Sequence, residues 1–199
     1  MHPDTRSTET PGHGGARDLG AALVRRWPLA AGLLAALVLF LTGGTGAQAR
    51  AGLATAVVIA VSCYLAAAAS SRPWMAWAWI PGAVVVVVVA RLLDVDPVLL
   101  NAVAAVALVA VGLLRGAARP ETARQTAALV GYGLLVLAAL SLGPGPGLVV
   151  AAGTLIGHGG WDLWHLTRRR GVVSPSLAEA CVALDVPIGL AVLVVAVLA

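Results

Sequence analysis

The chain is predicted to be an all-α, polytopic transmembrane helical bundle of about seven spans, with its N-terminus cytoplasmic and its C-terminus outside. Three observations predict this. Of the 199 residues, 60% are hydrophobic and only 11% are charged, whereas soluble domains carry about a quarter charged residues. Apolar runs of bilayer-crossing length recur along the whole sequence, which a soluble core does not explain. The basic residues between those runs alternate between crowded and nearly empty segments, as the positive-inside rule requires of a membrane protein. No pattern of short alternating strands suggests a barrel.

Residues 1–20 are rich in Thr, Gly, Pro and charge and lack apolar periodicity. They read as a disordered cytoplasmic tail, with His2 and His13 as solvated side chains. Residues 21–199 form the transmembrane helical domain. Span one runs from Trp27 to Thr42, behind Arg25-Arg26, and span two from Ala51 to Ala69. Span three runs from Trp74 to Ala90 and contains Pro81; span four runs from Val98 to Leu114. Span five runs from Thr126 to Leu142 and stops at the breaker Gly143-Pro144-Gly145-Pro146-Gly147. Span six covers Leu148 to Thr167 and span seven Leu177 to Leu198.

The sequence has no lysine, so its thirteen basic residues are all arginines. With a cytoplasmic N-terminus, eleven fall inside: Arg6, Arg17, Arg25, Arg26, Arg72, Arg115, Arg119, Arg124 and Arg168 to Arg170. The other two, Arg50 and Arg91, fall outside. Topology therefore accounts for the net charge of +4, and no nucleic-acid partner is expected. Arg25-Arg26, the first apolar run and Ala47-Gln48-Ala49 resemble a cleavable signal peptide, but the long preceding tail favours a retained first span. The absence of lysine excludes a retinal Schiff base. Cys63 and Cys181, both within spans, imply no disulfide framework and read as small packing residues.

Span six carries the chemistry. His158, Asp162 and His165 stand at i, i+4 and i+7, on one helical face. Counting back from Arg168 at 1.5 Å per residue places His158 roughly 15 Å deep, near the bilayer midplane. Span seven returns antiparallel, and reflection about residue 172 sets Asp185 level with His158 and Glu179 level with His165. His158, Asp162 and Asp185 are thus expected to converge, with His165 at the mouth. Imidazoles and carboxylates at such depth are costly and point to function. They can hold a divalent metal such as zinc, or relay protons. All four of His158, Asp162, His165 and Asp185 are therefore candidate catalytic and metal-ligating residues. Simpler roles stand beside these: Ser176-x-x-Glu179 reads as a capping box, and His165 as a snorkelling or capping side chain.

Several features surround the site. Gly153, Gly157, Gly159 and Gly160 allow close helix approach. Pro187 should free the carbonyl of Ala183, and Pro81 that of Trp77. Trp27, Trp74, Trp77, Trp79, Trp161, Trp164, Tyr64 and Tyr132 all fall in the cytoplasmic half, as an aromatic belt or around a pocket facing that leaflet. Asp94 and Asp96 read as an acidic turn with Pro97 opening span four, and Asn101 as an interhelical hydrogen-bonder. No nucleotide fingerprint or His-Glu-x-x-His motif is present.

The stretch His158-x-x-Trp161-Asp162-x-x-His165, followed by Ser176, Cys181-x-x-x-Asp185 and Ile188-Gly189, resembles the C-terminal helical hairpin of a family of small uncharacterised bacterial multi-pass membrane proteins. The resemblance implies a bacterial inner-membrane protein and carries no activity with it. In span count and orientation the chain is also similar to the seven-helix membrane hydrolases of the ceramidase and adiponectin-receptor group, whose last-helix histidines have no counterpart here. The function expected is a metal- or proton-using membrane enzyme acting on a lipid. The alternatives are a small ion- or proton-coupled transporter and a structural subunit of an oligomer or larger assembly.

Overall fold

Where water is excluded, every backbone N–H and C=O must pair within its own segment, and a long apolar run satisfies this only as a helix. A computed structural model of the chain describes residues 20–21, 24–116, 119–168 and 173–198. Among these are seven helices, α1 (Trp27–Thr42), α2 (Gly46–Ser70), α3 (Met75–Leu92), α4 (Pro97–Arg115), α5 (Arg119–Ser141), α6 (Pro144–Arg168) and α7 (Pro175–Leu198). Five of them, α2, α3, α4, α5 and α7, are long and apolar enough to cross a membrane. The fold is a helical membrane bundle. The N-terminal residues 1–19, with His2 and His13, lie outside the described residues, as do Arg169 and Arg170, which follow α6 in the sequence.

Helix α1 has the predicted bounds, and most of the other helices start earlier than their apolar runs. The Gly143 to Gly147 stretch breaks the chain at Gly143 only, because α6 already begins at Pro144. Proline has no N–H to leave unpaired in a first turn, and its φ is preset for helix. Gly147 serves packing: a Cβ there would lie 2.3 Å from the carbonyl oxygen of Ala139 on α5. Helix α5 likewise begins at Arg119, seven residues before the expected Thr126, and so turns a presumed loop into helix. Both prolines expected to free a carbonyl, Pro81 and Pro187, sit inside continuous helices.

Helix α2 is the centre of the bundle. It packs against α3, α4, α5 and α6, while α7 packs against α6 and α1. Its small residues, Ala54, Val57, Val61 and the run from Ala66 to Ala69, are buried. The outward faces of the surrounding helices are apolar too, with Leu34, Val85, Leu99 and Leu134 exposed, as a lipid solvent allows.

Polar groups close the helix ends. Asp96 caps α4, accepting from the N–H groups of Val98 at 2.7 Å and Leu99 at 3.3 Å, with Pro97 in the first turn. Arg50 Nη1 donates to the carbonyl of Leu142 at 2.5 Å, neutralising the C-terminal end of α5. Asn101 Nδ2 donates to Pro97 at 2.9 Å, one turn back in its own helix, where a bond across helices was expected.

The expected capping box of Ser176 and Glu179 is not formed. Helix α7 starts at Pro175, so Ser176 is already helical and pairs with Ser174 Oγ at 2.8 Å. Glu179 instead accepts from Arg26 Nη1 at 2.8 Å and ties the start of α1 to α7. Arg26 is well exposed, its side chain at 71%, and exposed ion pairs contribute about 1 kcal/mol or less. Glu179→Gln is therefore expected to lower stability by no more than about 1 kcal/mol, measured by thermal unfolding in detergent.

Candidate functional site

Helix α6 brings His158, Asp162 and His165 to its inner face, and all three are buried, with exposures of 0%, 0% and 3%. Antiparallel packing of α7 on α6 adds Asp185, 1% exposed. Close approach of the two helices depends on glycine. A Cβ at Gly189 would lie 2.9 Å from the carbonyl oxygen of Ala152, and one at Gly159 2.6 Å from Val186 Cγ2.

His158 Nδ1 faces two carboxylates at once. It lies 2.7 Å from Asp185 Oδ2 and 3.1 Å from Asp162 Oδ2. One ring nitrogen carries at most one proton, and the hydrogen bond runs to Asp185. Asp162 Oδ2 is left without a hydrogen-bond partner among the described residues, as is His158 Nε2. The other Asp162 oxygen, Oδ1, accepts from the hydroxyl of Tyr64 on α2. His158, Asp162 and Asp185 offer one ligand atom each, all within 4.8 Å of one another. Buried polar atoms are almost always hydrogen-bonded, so a carboxylate oxygen whose one near neighbour is an imidazole nitrogen already bonded to a second carboxylate marks a place suited to a cation.

His165 is not part of this trio. It is buried rather than snorkelling, and its Nε2 accepts from the side-chain amide of Gln125 at 3.3 Å. Its ring lies edge-on to Tyr64, Trp161 and Trp164, with centroids 5.2, 4.9 and 4.9 Å away. Tyr64 touches both histidines, stacking on His158 at 5.9 Å. Tyr132 on α5 meets the His158 ring edge-on at 5.3 Å and donates to the carbonyl of Gly157 at 3.1 Å.

The sequence pattern places Tyr64 in an interfacial belt and does not single out Gln125; both are fully buried beside the site. A tyrosine amid the alanines and valines of α2, and a glutamine flanking an apolar run, are the available signals. Of the remaining aromatics, Trp27 and Trp74 are exposed as belt residues are. Trp77 and Trp79 instead donate to Ser176 Oγ at 3.0 Å and Ser62 Oγ at 2.8 Å, joining helices. Cys63 is buried and Cys181 half-buried, and both thiols are free.

Comparison of the chain with known protein families, with curated proteins and with solved structures finds no match. The site itself therefore carries the functional reading.

Proposed function

We propose that the chain is a bacterial inner-membrane enzyme that holds a divalent cation at His158, Asp162 and Asp185 and acts on a membrane lipid. The observation that carries this reading is the single imidazole nitrogen shared by two buried carboxylates, one of which keeps an oxygen with no hydrogen bond of its own. Two ionised carboxylates and a neutral imidazole balance the charge of a divalent ion, whereas a proton on His158 balances only one of them. Ligands on a tetrahedral ion with bonds of about 2.1 Å stand roughly 3.4 Å apart. To reach that spacing the contact of His158 with Asp162, at 3.1 Å, opens by about 0.3 Å and the one with Asp185, at 2.7 Å, by about 0.7 Å. Such an ion leaves coordination positions for water or a substrate oxygen, and supplies Lewis-acid chemistry there. The Tyr64 hydroxyl would orient the Asp162 carboxylate from outside the ligand set.

The test is metal analysis of protein purified without chelator. About one equivalent of a divalent ion is expected, and a chain with no retained ion at any loading would exclude this reading. Tyr64→Phe removes the donor to Asp162 and is expected to weaken metal affinity 10- to 100-fold without emptying the site. Titration of the apo-protein with Zn²⁺ would measure it. A proton-coupled carrier is the second reading, favoured by the short contact between His158 Nδ1 and Asp185. It predicts proton uptake by vesicles and no bound metal.

The proposed topology has seven spans, with α1 and α6 crossing alongside the other five, and the arginine-rich end of the bundle in the cytoplasm. It is supported by the division of arginines, since Arg72, Arg115 and Arg168 lie at one end and Arg50 and Arg91 at the other. A reporter active only in the cytoplasm should give no signal when fused to Ala199. A strong signal there would reverse the orientation.

A further inference from the structure

One cavity reaches the trio directly. It is a crevice of about 380 Å³ between α2, α3 and α7, with Asp185 in its wall, a volume within the range of small-molecule sites. Its lining is almost wholly apolar, including Ile80, Val84 and Val87 of α3 and Leu177 and Leu184 of α7. The shape follows from how α3 is held. Trp77 is pinned at the arginine-rich end, where it donates to Ser176 of α7 and packs against Trp27 of α1 with centroids 4.9 Å apart. Beyond that point α3 packs on α2 and α4, and the gap along α7 stays open toward Arg91 and Pro97, which line its far end. A larger groove of about 670 Å³ lies between α5 and α6, but no residue of the trio lines it, and the guanidinium at its rim, Arg124, is already paired with Glu121.

We propose that the crevice seats one acyl chain of a phospholipid, with its phosphate at Arg91, and thereby brings that chain against Asp185. This rests on reading the trio as the working centre and names a lipid seated beside it, whose methylenes rather than its ester oxygens reach the depth of Asp185. Four observations point to this occupant. The mouth opens between two helices apolar enough to cross a membrane, so the medium outside it is lipid hydrocarbon. Apart from Asp185 and Thr55, whose hydroxyl is spent on the carbonyl of Ala51 in its own helix, the walls between the ends offer a hydrocarbon chain nothing polar to desolvate. Arg91 is exposed and makes no ion pair among the described residues, although Asp94 and Asp96 line the recess beside it, so its guanidinium stays accessible to an anionic group. Along α3, Arg91 stands eleven residues from Ile80, roughly 16 Å at 1.5 Å per residue, about half of a hydrocarbon core near 30 Å. The crevice thus matches the reach of one lipid from one leaflet. This places the lipid entrance on the side of Arg91, opposite to the aromatic-rich half that the sequence suggested for a pocket.

The experiment uses the full chain reconstituted in vesicles of phosphatidylglycerol, a fraction of which carries a diazirine on one acyl chain. After photolysis, the sites of attachment are mapped by peptide mass spectrometry. Adducts are expected to concentrate on Ile80 to Arg91 and on Leu177 to Asp185. Val84→Trp fills the crevice from a position that is already 51% exposed, so the bundle should accept it. It is expected to reduce those adducts roughly tenfold while leaving metal content unchanged. Arg91→Gln should reduce them as well, without altering labelling of α4 or α5. Wild-type adducts spread evenly over all lipid-facing helices would overturn the proposal. So would adducts unaffected by Val84→Trp. Loss of metal from wild-type protein with labelling intact would instead remove the metal reading and leave the lipid seat standing.

Discussion

Asp185→Asn is expected to empty the proposed metal site and to abolish any activity that depends on it. The substitution keeps size and hydrogen-bonding shape but removes one of the two negative charges facing His158. The remaining donors, one imidazole and one carboxylate, are too few to hold a divalent ion in a closed site. Affinity should fall by well over the 10- to 100-fold typical of losing an orienting partner. Stability should respond far less. His158 keeps Asp162 at 3.1 Å, so no buried charge is left alone, which is the circumstance that makes breaking an ion pair costly, at about 3–5 kcal/mol. The signature is therefore bound metal lost with the melting temperature nearly retained. If the Asp185→Asn variant binds metal at wild-type stoichiometry and remains active, the buried-charge site is wrong and packing is the better account of these residues.

The convergence of His158, Asp162 and Asp185 is legible in the sequence because two constraints act on it. The helical period puts His158 and Asp162 on one face, and a short turn forces α7 to return alongside α6, which reduces the position of Asp185 to a count from the turn. Tyr64 and Gln125 are not legible in this way. They reach the site from α2 and α5, 98 and 40 residues away from their partners, and the rotation of those helices is fixed by packing rather than by a hairpin. The same applies to Glu179. A capping box is a local pattern, and it loses to an ion pair with Arg26, 153 residues distant. Helix starts depart from the apolar runs where the first turn is polar or proline-rich, since apolar runs mark the hydrocarbon layer and helices continue beyond it. The starts of α5 and α6 therefore lie in residues that carry no hydrophobic signal, the first turns of α5 including Thr122 and Gln125, which are buried all the same.

Gly32→Val is expected to have the largest effect on the bundle itself. A Cβ at Gly32 of α1 would stand 2.1 Å from the carbonyl oxygen of Ala180 and 2.9 Å from Ala183 Cβ, both on α7. The first obstacle is backbone within a helix that also supplies Asp185, so it cannot turn aside as a flexible side-chain tip can. Relief requires α1 to lift away, which would also strain the Arg26–Glu179 pair and the Trp27–Trp77 contact. Overpacking costs typically about 1–3 kcal/mol, and a clash with main chain belongs at the upper end, roughly 6–12 °C in melting temperature for a chain of this size. Gly131→Ala is the matched control, because a Cβ there meets nothing within 4 Å, and alanine is the better helix former by about 1 kcal/mol. It should melt at or slightly above the wild type. The pair of variants also addresses whether the first span belongs to the mature protein. If α1 is an integral helix, Gly32→Val destabilises and Gly131→Ala does not. If α1 is removed after Ala49 as a leader, the valine variant melts like the wild type and both proteins lack the first residues by mass spectrometry.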